Sequence, residues 1–144
     1  SIDHFESMLP VLKSGYDIVI CSRDIKGSKM EPPQSLLRRL LGNLGNLYIQ
    51  MLVLPGIWDT QCGFKCFSED AAKEVFSKLK ISRWGFDVEA LALGRRLGFK
   101  IKEIPVHWVN DTASRVGMGA YIQVLLEVLR IRWGLWRGKY GLTQ

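Results

Sequence analysis

The sequence predicts an α/β domain, because short apolar runs typical of strands alternate with longer segments of helical periodicity. The run 17–21 (Asp-Ile-Val-Ile-Cys) is apolar and β-branched, as expected for a strand buried on both faces. Two further strands are predicted at 62–66 and 100–108, and Pro105 places the second at a sheet edge. With 144 residues, 47% of them hydrophobic, the chain can build one core. This composition excludes a disordered tail and a disulfide scaffold.

Five helices are predicted from apolar spacing and from residues that begin or end helices. The first lies between a cap at Asp3 and a stop at Gly15, and Ser68 caps the third. The second carries leucines and aromatic residues at three- and four-residue spacing, which form one apolar stripe. The second to fifth helices are predicted at 34–54, 69–78, 84–97 and 120–137.

The charge balance points to an anionic partner. Twenty Lys and Arg residues against fourteen Asp and Glu give a net charge of +6, which suits a nucleic acid, a phosphate or a membrane surface. The three cysteines cannot all pair with one another, and we interpret them as buried thiols in a reduced, cytosol-facing environment rather than as metal ligands. No apolar stretch reaches the length of about 18–20 residues that a membrane-spanning helix needs.

Well-known catalytic motifs are absent from the sequence. It contains no glycine-rich phosphate loop, no HExxH and no Asp-x-Asp pair. Acidic residues instead stand at predicted junctions, with Asp59 before a strand and with Asp87 and Glu89 at a helix start. The last two carboxylates can simply interact favourably with the positive end of the helix dipole, or they can form part of a sugar or acceptor pocket beside the neighbouring aromatic residues. Arg23 and Arg115 follow strands in polar loops, where they can be surface charges or can bind phosphate.

The last helix, predicted at 120–137, allows three interpretations. It can be a core or partner-contacting helix, a nucleic-acid-binding helix, or a helix at a membrane interface. Four basic residues interleave with Ile, Leu and Trp near its end, a mixture that favours the boundary between lipid headgroups and acyl chains. A nucleic-acid helix rarely uses so much apolar surface, so we expect a membrane surface and no nucleic acid.

Four ordered segments carry a resemblance to a known family. They are Asp-Thr-Gln-Cys-Gly-Phe-Lys at 59–65, Trp-Gly-Phe-Asp-Val-Glu at 84–89, Glu-Ile-Pro-Val-His-Trp at 103–108 and Ser-Arg-Val at 114–116. In this order they resemble the C-terminal half of dolichyl-phosphate β-glucosyltransferases and related polyprenyl-phosphate glycosyltransferases. That family consists of inverting family 2 enzymes with the GT-A fold. The resemblance implies a partial GT-A domain, Rossmann-like with three α/β/α layers, over 1–117, and an amphipathic membrane-interface helix over 118–144.

The activity that the resemblance implies is transfer of a hexose from a nucleotide sugar, UDP-glucose in this family, to a dolichyl or polyprenyl phosphate. Family members use Mg²⁺ or Mn²⁺ held by an Asp-x-Asp motif, which we expect upstream of Ser1, so no metal ligand is predicted within this chain. We expect a peripheral protein on the cytoplasmic face of a membrane. Two alternatives stay open: a dolichyl-phosphate mannose synthase or another lipid-acceptor transferase, and a non-catalytic module that docks on a membrane or a partner.

Specific residues acquire roles through the same resemblance. Arg23 and Arg38 match arginines that hold the lipid phosphate, and Arg115 lies where a basic residue meets the donor diphosphate. Asp59 matches an acid near the acceptor and is a candidate base. Asp87 and Glu89 match the acidic pair of the catalytic pocket. Gln61 and Trp84 match positions in the sugar and acceptor pocket.

Overall fold

The structure is a computed structural model that describes residues 3–109 and 118–142, and it shows helices and strands in a mixed α/β arrangement. The helices are α1 (Asp3–Lys13), α2 (Leu36–Leu52), α3 (Glu69–Phe76), α4 (Phe86–Arg96) and α5 (Met118–Trp136). The strands are β1 (Ile18–Ser22), β2 (Lys29–Glu31), β3 (Lys65–Phe67), β4 (Ile101–Pro105) and β5 (His107–Val109). The predicted α/β class is therefore confirmed.

Strand β1 lies at the centre of a three-stranded sheet in the order β3-β1-β4. It runs parallel to β4, with Ser22 opposite Pro105, and antiparallel to β3, with Ile18 opposite Phe67. Strands β2 and β5 form a separate parallel pair just beyond the carboxyl ends of β1 and β4. Among the described strands β4 lies at an edge, as Pro105 predicted.

One predicted loop contains a strand. The sequence predicts a polar loop over 26–33, and this prediction is wrong for Lys29–Glu31, which pairs with His107–Val109. The pairing begins where the backbone N–H of Lys29 donates to the carbonyl of Val106 at 3.0 Å. Because Lys29 and Glu31 are exposed, this short strand has no alternation of hydrophobic residues by which the sequence could reveal it.

The core occupies both faces of β1. Ile18 and Ile20 pack into a cluster with residues of α4 and α5, whereas Val19 and Cys21 pack on the opposite face with Met8 of α1. This alternation follows from the strand's two-residue period. The result is a sheet with helices on each side.

Helices α2 and α5 pack against each other and expose most of their apolar residues. The hydroxyl of Tyr48 in α2 donates to the carbonyl of Leu125 in α5 at 3.2 Å, while Val128 and Ile131 of α5 are completely buried. Much of the predicted leucine stripe of α2 nevertheless lies at the surface. The exposed large hydrophobic residues in the described part of the two helices are Leu36, Leu37, Leu40, Leu44, Leu47, Met51, Ile122, Leu125, Leu126, Leu129, Trp133 and Trp136.

No helix in the described ranges combines the length and the hydropathy required to span a membrane. The described part of α5 has a buried side, with Val128 and Ile131, and an exposed side that carries large apolar residues. On its exposed side, the guanidinium of Arg137 lies 4.6 Å from the ring centre of Trp133, which is cation–π distance.

Candidate functional site

The centre of the candidate site is an ion pair between Arg23 and Asp59. Arg23 follows β1 directly, and Asp59 lies in the loop before β3. Nε of Arg23 donates to Oδ2 of Asp59 at 2.7 Å and Nη2 donates to Oδ1 at 2.9 Å, while the backbone N–H of Arg23 donates to Oδ2. Asp59 is 3% exposed and the Arg23 side chain is 22% exposed. The structure thus brings together two of the predicted site residues.

Neighbouring strands hold this pair in place. The carboxylate of Glu103 on β4 accepts hydrogen bonds from the backbone N–H groups of Trp58 and Asp59, each at 3.0 Å. The ring centre of Trp108 on β5 lies 5.5 Å from the guanidinium carbon of Arg23, within cation–π range. Both contacts come from the segment Glu-Ile-Pro-Val-His-Trp, for which the sequence had suggested no site role.

The electrostatics of the pair keep Arg23 charged. Burial alone would lower the pKa of the Arg23 guanidinium, but the hydrogen bond to Asp59 and its negative charge raise that pKa instead. Burial, followed by the charge of Asp59, raises the pKa of the neighbouring Asp24, and the charges of Arg23 and, to a smaller degree, Arg39 of α2 oppose this rise. The amino-terminal part of α2 therefore contributes to the electrostatics of the site.

Three polar side-chain atoms beside the pair are buried and have no hydrogen-bond partner in the described part of the chain. They are Oγ of Ser22, Oγ1 of Thr60 and Nε2 of Gln61. Ser22 is 0% exposed and Thr60 is 1% exposed. Buried polar atoms without partners are rare and costly, and they are typical of functional sites. Gln61 was predicted; Ser22 and Thr60 were missed, although each lies next to a predicted residue in the sequence.

Asp87 and Trp84 lie around the amino end of α4. Oδ1 of Asp87 accepts a hydrogen bond from Nζ of Lys65 at 2.7 Å, and Nζ also donates to the carbonyl of Cys62. The indole of Trp84 is 51% exposed. Lys65 lies within the motif 59–65 but received no role from the sequence, and it connects this motif to α4.

Glu89 is completely buried in the core. Its carboxylate accepts hydrogen bonds from the backbone N–H groups of Lys80 and Ile81 and from the hydroxyl of Tyr140, at 3.1, 2.9 and 2.7 Å. Burial, followed by the hydrogen bond to Glu89, raises the pKa of Tyr140. These contacts join the end of the chain to α4, and the catalytic role of Glu89 stays a prediction.

Two predicted site residues remain, Arg38 and Arg115. Arg38 is half-buried on α2, and Arg115 lies outside the described residues. In the described ranges, no group of three or more His, Cys, Asp or Glu side chains is placed to hold a metal ion.

The fold and the site together are typical of α/β proteins that bind an anionic group at the carboxyl ends of parallel strands. An arginine follows β1, a carboxylate orients it, and three buried polar atoms without partners in the described ranges belong to residues one or two positions from the pair in the sequence. No family model matches the chain.

Comparison with curated proteins identifies the relatives of this chain. It is 36% identical over 138 residues to a dolichyl-phosphate β-glucosyltransferase from Dictyostelium discoideum, covering 92% of this chain and 42% of the relative. The human enzyme of that name is 37% identical over 112 residues, which cover 77% of this chain and 35% of the relative. Glycosyltransferase AglD from Haloferax volcanii is 28% identical over 92% of this chain and 21% of the relative.

These matches confirm the resemblance that the four motifs predicted. Over most of its own length the chain is similar to dolichyl-phosphate β-glucosyltransferases. The chain spans less than half the length of these curated relatives.

Proposed function

We propose that this chain is the acceptor-binding part of an inverting family 2 glycosyltransferase with the GT-A fold, which transfers a hexose to a dolichyl or other polyprenyl phosphate. The observation that carries the proposal is the match, over 92% of this chain, to a relative named for glucosyl transfer to dolichyl phosphate. The site supports it, since its central cation is an arginine oriented by a carboxylate.

In this proposal Arg23 holds the acceptor phosphate. A guanidinium presents five N–H donors in a planar fork that matches phosphate oxygens. Asp59 engages Nε and Nη2 of Arg23, and the partly exposed remainder of the fork can donate to a ligand. Ser22 and Thr60, whose hydroxyls have no partner in the described part of the chain, are the sequence neighbours of Arg23 and Asp59, and Arg38 contributes charge from α2.

The role we propose for Asp59 is to orient Arg23 rather than to remove a proton. Both of its carboxylate oxygens already accept hydrogen bonds from Arg23. A phosphate monoester has a second pKa of about 6, so it is largely deprotonated near neutral pH and needs little help from a general base. The main task of this chain is therefore to position an anion for attack on the sugar.

The lipid part of the acceptor requires a protein surface that tolerates a bilayer. The exposed apolar residues of α2 and α5 supply one. Four exposed basic residues accompany it, Arg130 and Arg132 on α5 and Arg137 and Lys139 just after its end. Trp and Arg side chains are favoured at the headgroup level of membranes. We propose peripheral attachment to the cytoplasmic face of a membrane through this surface, which we call the α2–α5 face.

The donor and the metal are the finer parts of the proposal. The relatives' names support glucose as the sugar, and family resemblance suggests UDP as its carrier, with Arg115 near the diphosphate. Mg²⁺ or Mn²⁺ would neutralise the departing diphosphate. Hexose transfer from UDP-glucose and from GDP-mannose, compared on a protein as long as the relatives, distinguishes glucosyl from mannosyl transfer.

Acceptor binding can be tested on this chain directly. We expect it to sediment with phosphatidylcholine vesicles that contain dolichyl phosphate about tenfold more strongly than with vesicles that contain dolichol. Arg23→Lys keeps the charge but loses the fork, so it should abolish most of this preference. Arg96→Lys, an exposed position on α4, is the matched control. Equal binding of the wild type to both vesicles would contradict phosphate recognition.

A further inference from the structure

Glu127 is a buried carboxylate on the membrane-facing helix α5. It is 4% exposed, and its Oε2 accepts a hydrogen bond from the backbone N–H of Gly85 at 2.5 Å. Its Oε1 accepts a second hydrogen bond from Nε2 of Gln123 at 2.8 Å. No cationic side chain forms an ion pair with it among the residues that the structure describes. The sequence gave this residue no role.

The position of Glu127 beside the start of α4 explains how a buried carboxylate is stabilised in the interior. Gly85 immediately precedes α4, so the carboxylate lies at the positive end of that helix's dipole. The N–H of Gly85 is also one of the donors that a helix start leaves without an intrahelical partner. Glu127 of α5 thus accepts the hydrogen bond of a buried N–H group at the start of α4.

The packing between Glu127 and Gly85 leaves no room for a side chain at position 85. A Cβ built there would lie 2.7 Å from Oε2 and 2.8 Å from Cβ of Glu127. Gly85 has φ −80°, a conformation that any residue adopts, so the restriction comes from α5 and not from the backbone. Helix α5 and the start of α4 are in direct contact at this point.

The segment that Glu127 holds carries two of the predicted site residues. Trp84 precedes Gly85 and is half-exposed, and Asp87 follows in the first turn of α4, where it binds Lys65. We call residues 84–87 the Trp84–Asp87 segment. A shift of Gly85 would move both of these side chains.

We propose that Glu127 is a positioning residue, through which the membrane-facing helix α5 sets the place of the Trp84–Asp87 segment. The importance of this link for catalysis rests on the proposed function, because the Trp84–Asp87 segment belongs to an acceptor pocket only in that proposal. Docking of the α2–α5 face on a bilayer then stabilises the Trp84–Asp87 segment through the hydrogen bond to Gly85.

Amide hydrogen exchange of the full chain tests the link without any assay of transfer. Glu127→Ala leaves the Gly85 N–H without its partner, so we expect exchange across 85–87 to accelerate about tenfold. Exchange across β1 should not change. Glu127→Gln keeps a carbonyl oxygen at the same place and should restore most of the protection, a rescue that loss of bulk alone does not predict. Unchanged exchange at 85–87 in Glu127→Ala would overturn the proposal.

A second variant covers the case in which Glu127→Ala does not fold. Gly85→Ala keeps the carboxylate and displaces it by the Cβ contact. It should accelerate exchange over the same residues, and unchanged exchange there also counts against the proposal. Glu74→Ala removes an exposed carboxylate from α3 and is the control for loss of charge.

Vesicles of phosphatidylcholine and phosphatidylglycerol (3:1) test the coupling to a membrane and separate the two proposals. In the wild type we expect the vesicles to protect both α5 and 85–87, and in Glu127→Ala α5 alone. If 85–87 respond to the vesicles equally in both proteins, the coupling is wrong. If the vesicles fail to protect α5 even in the wild type, membrane attachment and the coupling to it both fail. The Glu127 link is then still tested by the exchange measured without vesicles.

Discussion

At the scale of single residues, the Arg23–Asp59 pair connects the stability of the chain to the ligand binding that we propose. Asp59 is almost completely buried, and its carboxylate accepts hydrogen bonds from Arg23 and from the backbone N–H of Gln61. An arrangement of this kind keeps the guanidinium in one orientation before any ligand arrives, which lowers the entropic cost of binding. The same hydrogen bonds make removal of either partner costly.

Asp59→Asn should therefore lower the stability of the folded chain. The amide cannot accept hydrogen bonds from Arg23 at both of its ends, and a partly buried guanidinium loses its counter-ion. We expect the free energy of unfolding to fall by about 1–3 kcal/mol, measured by urea denaturation. Glu69→Gln removes one partner of the exposed pair with Lys73 and should change it by less than about 0.5 kcal/mol. Equal effects of the two variants would contradict the structural role of Asp59.

Cys21 makes stability depend on pH in the alkaline range. It is 1% exposed, and burial, followed by the charge of Cys62, raises the pKa of its thiol from 9.0 to about 11. The unfolded chain thus loses this proton at a lower pH than the folded chain does. The stabilisation is fully present below pH 9 and is lost as the pH rises through about 11.

We expect the urea midpoint of the wild type to fall between pH 9 and pH 10.5, and that of Cys21→Ala to fall less. The slope does not vanish in the variant, because the pKa values of Cys62 and Tyr140 are raised as well. If the urea midpoint falls equally steeply with pH in both proteins, Cys21 does not contribute to the pH dependence of stability.

At the scale of helices and strands, much of the architecture follows from local sequence signals. Ser68 caps α3 as predicted, its hydroxyl accepting a hydrogen bond from the N–H of Ala71. The strand at β1 and the five helices are found near their predicted places. The antiparallel direction of β3 and the strand β2 could not be predicted, since both depend on pairing with residues distant in the sequence. For the same reason, no local pattern links Glu103 to Asp59 or Glu127 to Gly85.

Two glycines inside helices test the description of the packing. Gly45 in α2 has no atom near the position of a Cβ, whereas a Cβ at Gly94 in α4 would overlap Cδ1 of Ile18. Gly45→Ala should raise the free energy of unfolding by about 0.5–1 kcal/mol through helix propensity. Gly94→Ala should lower it by about 1–3 kcal/mol through overpacking against β1. Thermal denaturation of both variants measures these changes in stability. If Gly94→Ala stabilises the chain, the contact between α4 and β1 is looser than the structure shows.

At the scale of the whole molecule, the two exposed apolar helix faces belong to one surface. Helix α2 packs on α5, and strand β2 separates α2 from Arg23 in the chain. We propose that the surface for lipid attachment adjoins the loop that binds phosphate. A lipid phosphate has the same two parts, an apolar chain and an anionic end. This correspondence extends the interface predicted from the last helix alone, because the sequence could not show that the leucines of α2 remain exposed.

The contribution of α2 to this surface can be measured by substituting two of its exposed leucines. Leu40 and Leu44 are 57% and 55% exposed, so Leu40→Ser with Leu44→Ser should leave the urea midpoint nearly unchanged. Partition onto phosphatidylcholine–phosphatidylglycerol vesicles should weaken about tenfold, because two half-exposed leucines lose the transfer free energy that lipid contact provides. Val109→Ser, an exposed apolar position on β5, is the matched control. If the leucine variant partitions like the wild type, α5 binds the bilayer without α2, and the acceptor must approach the site by another face.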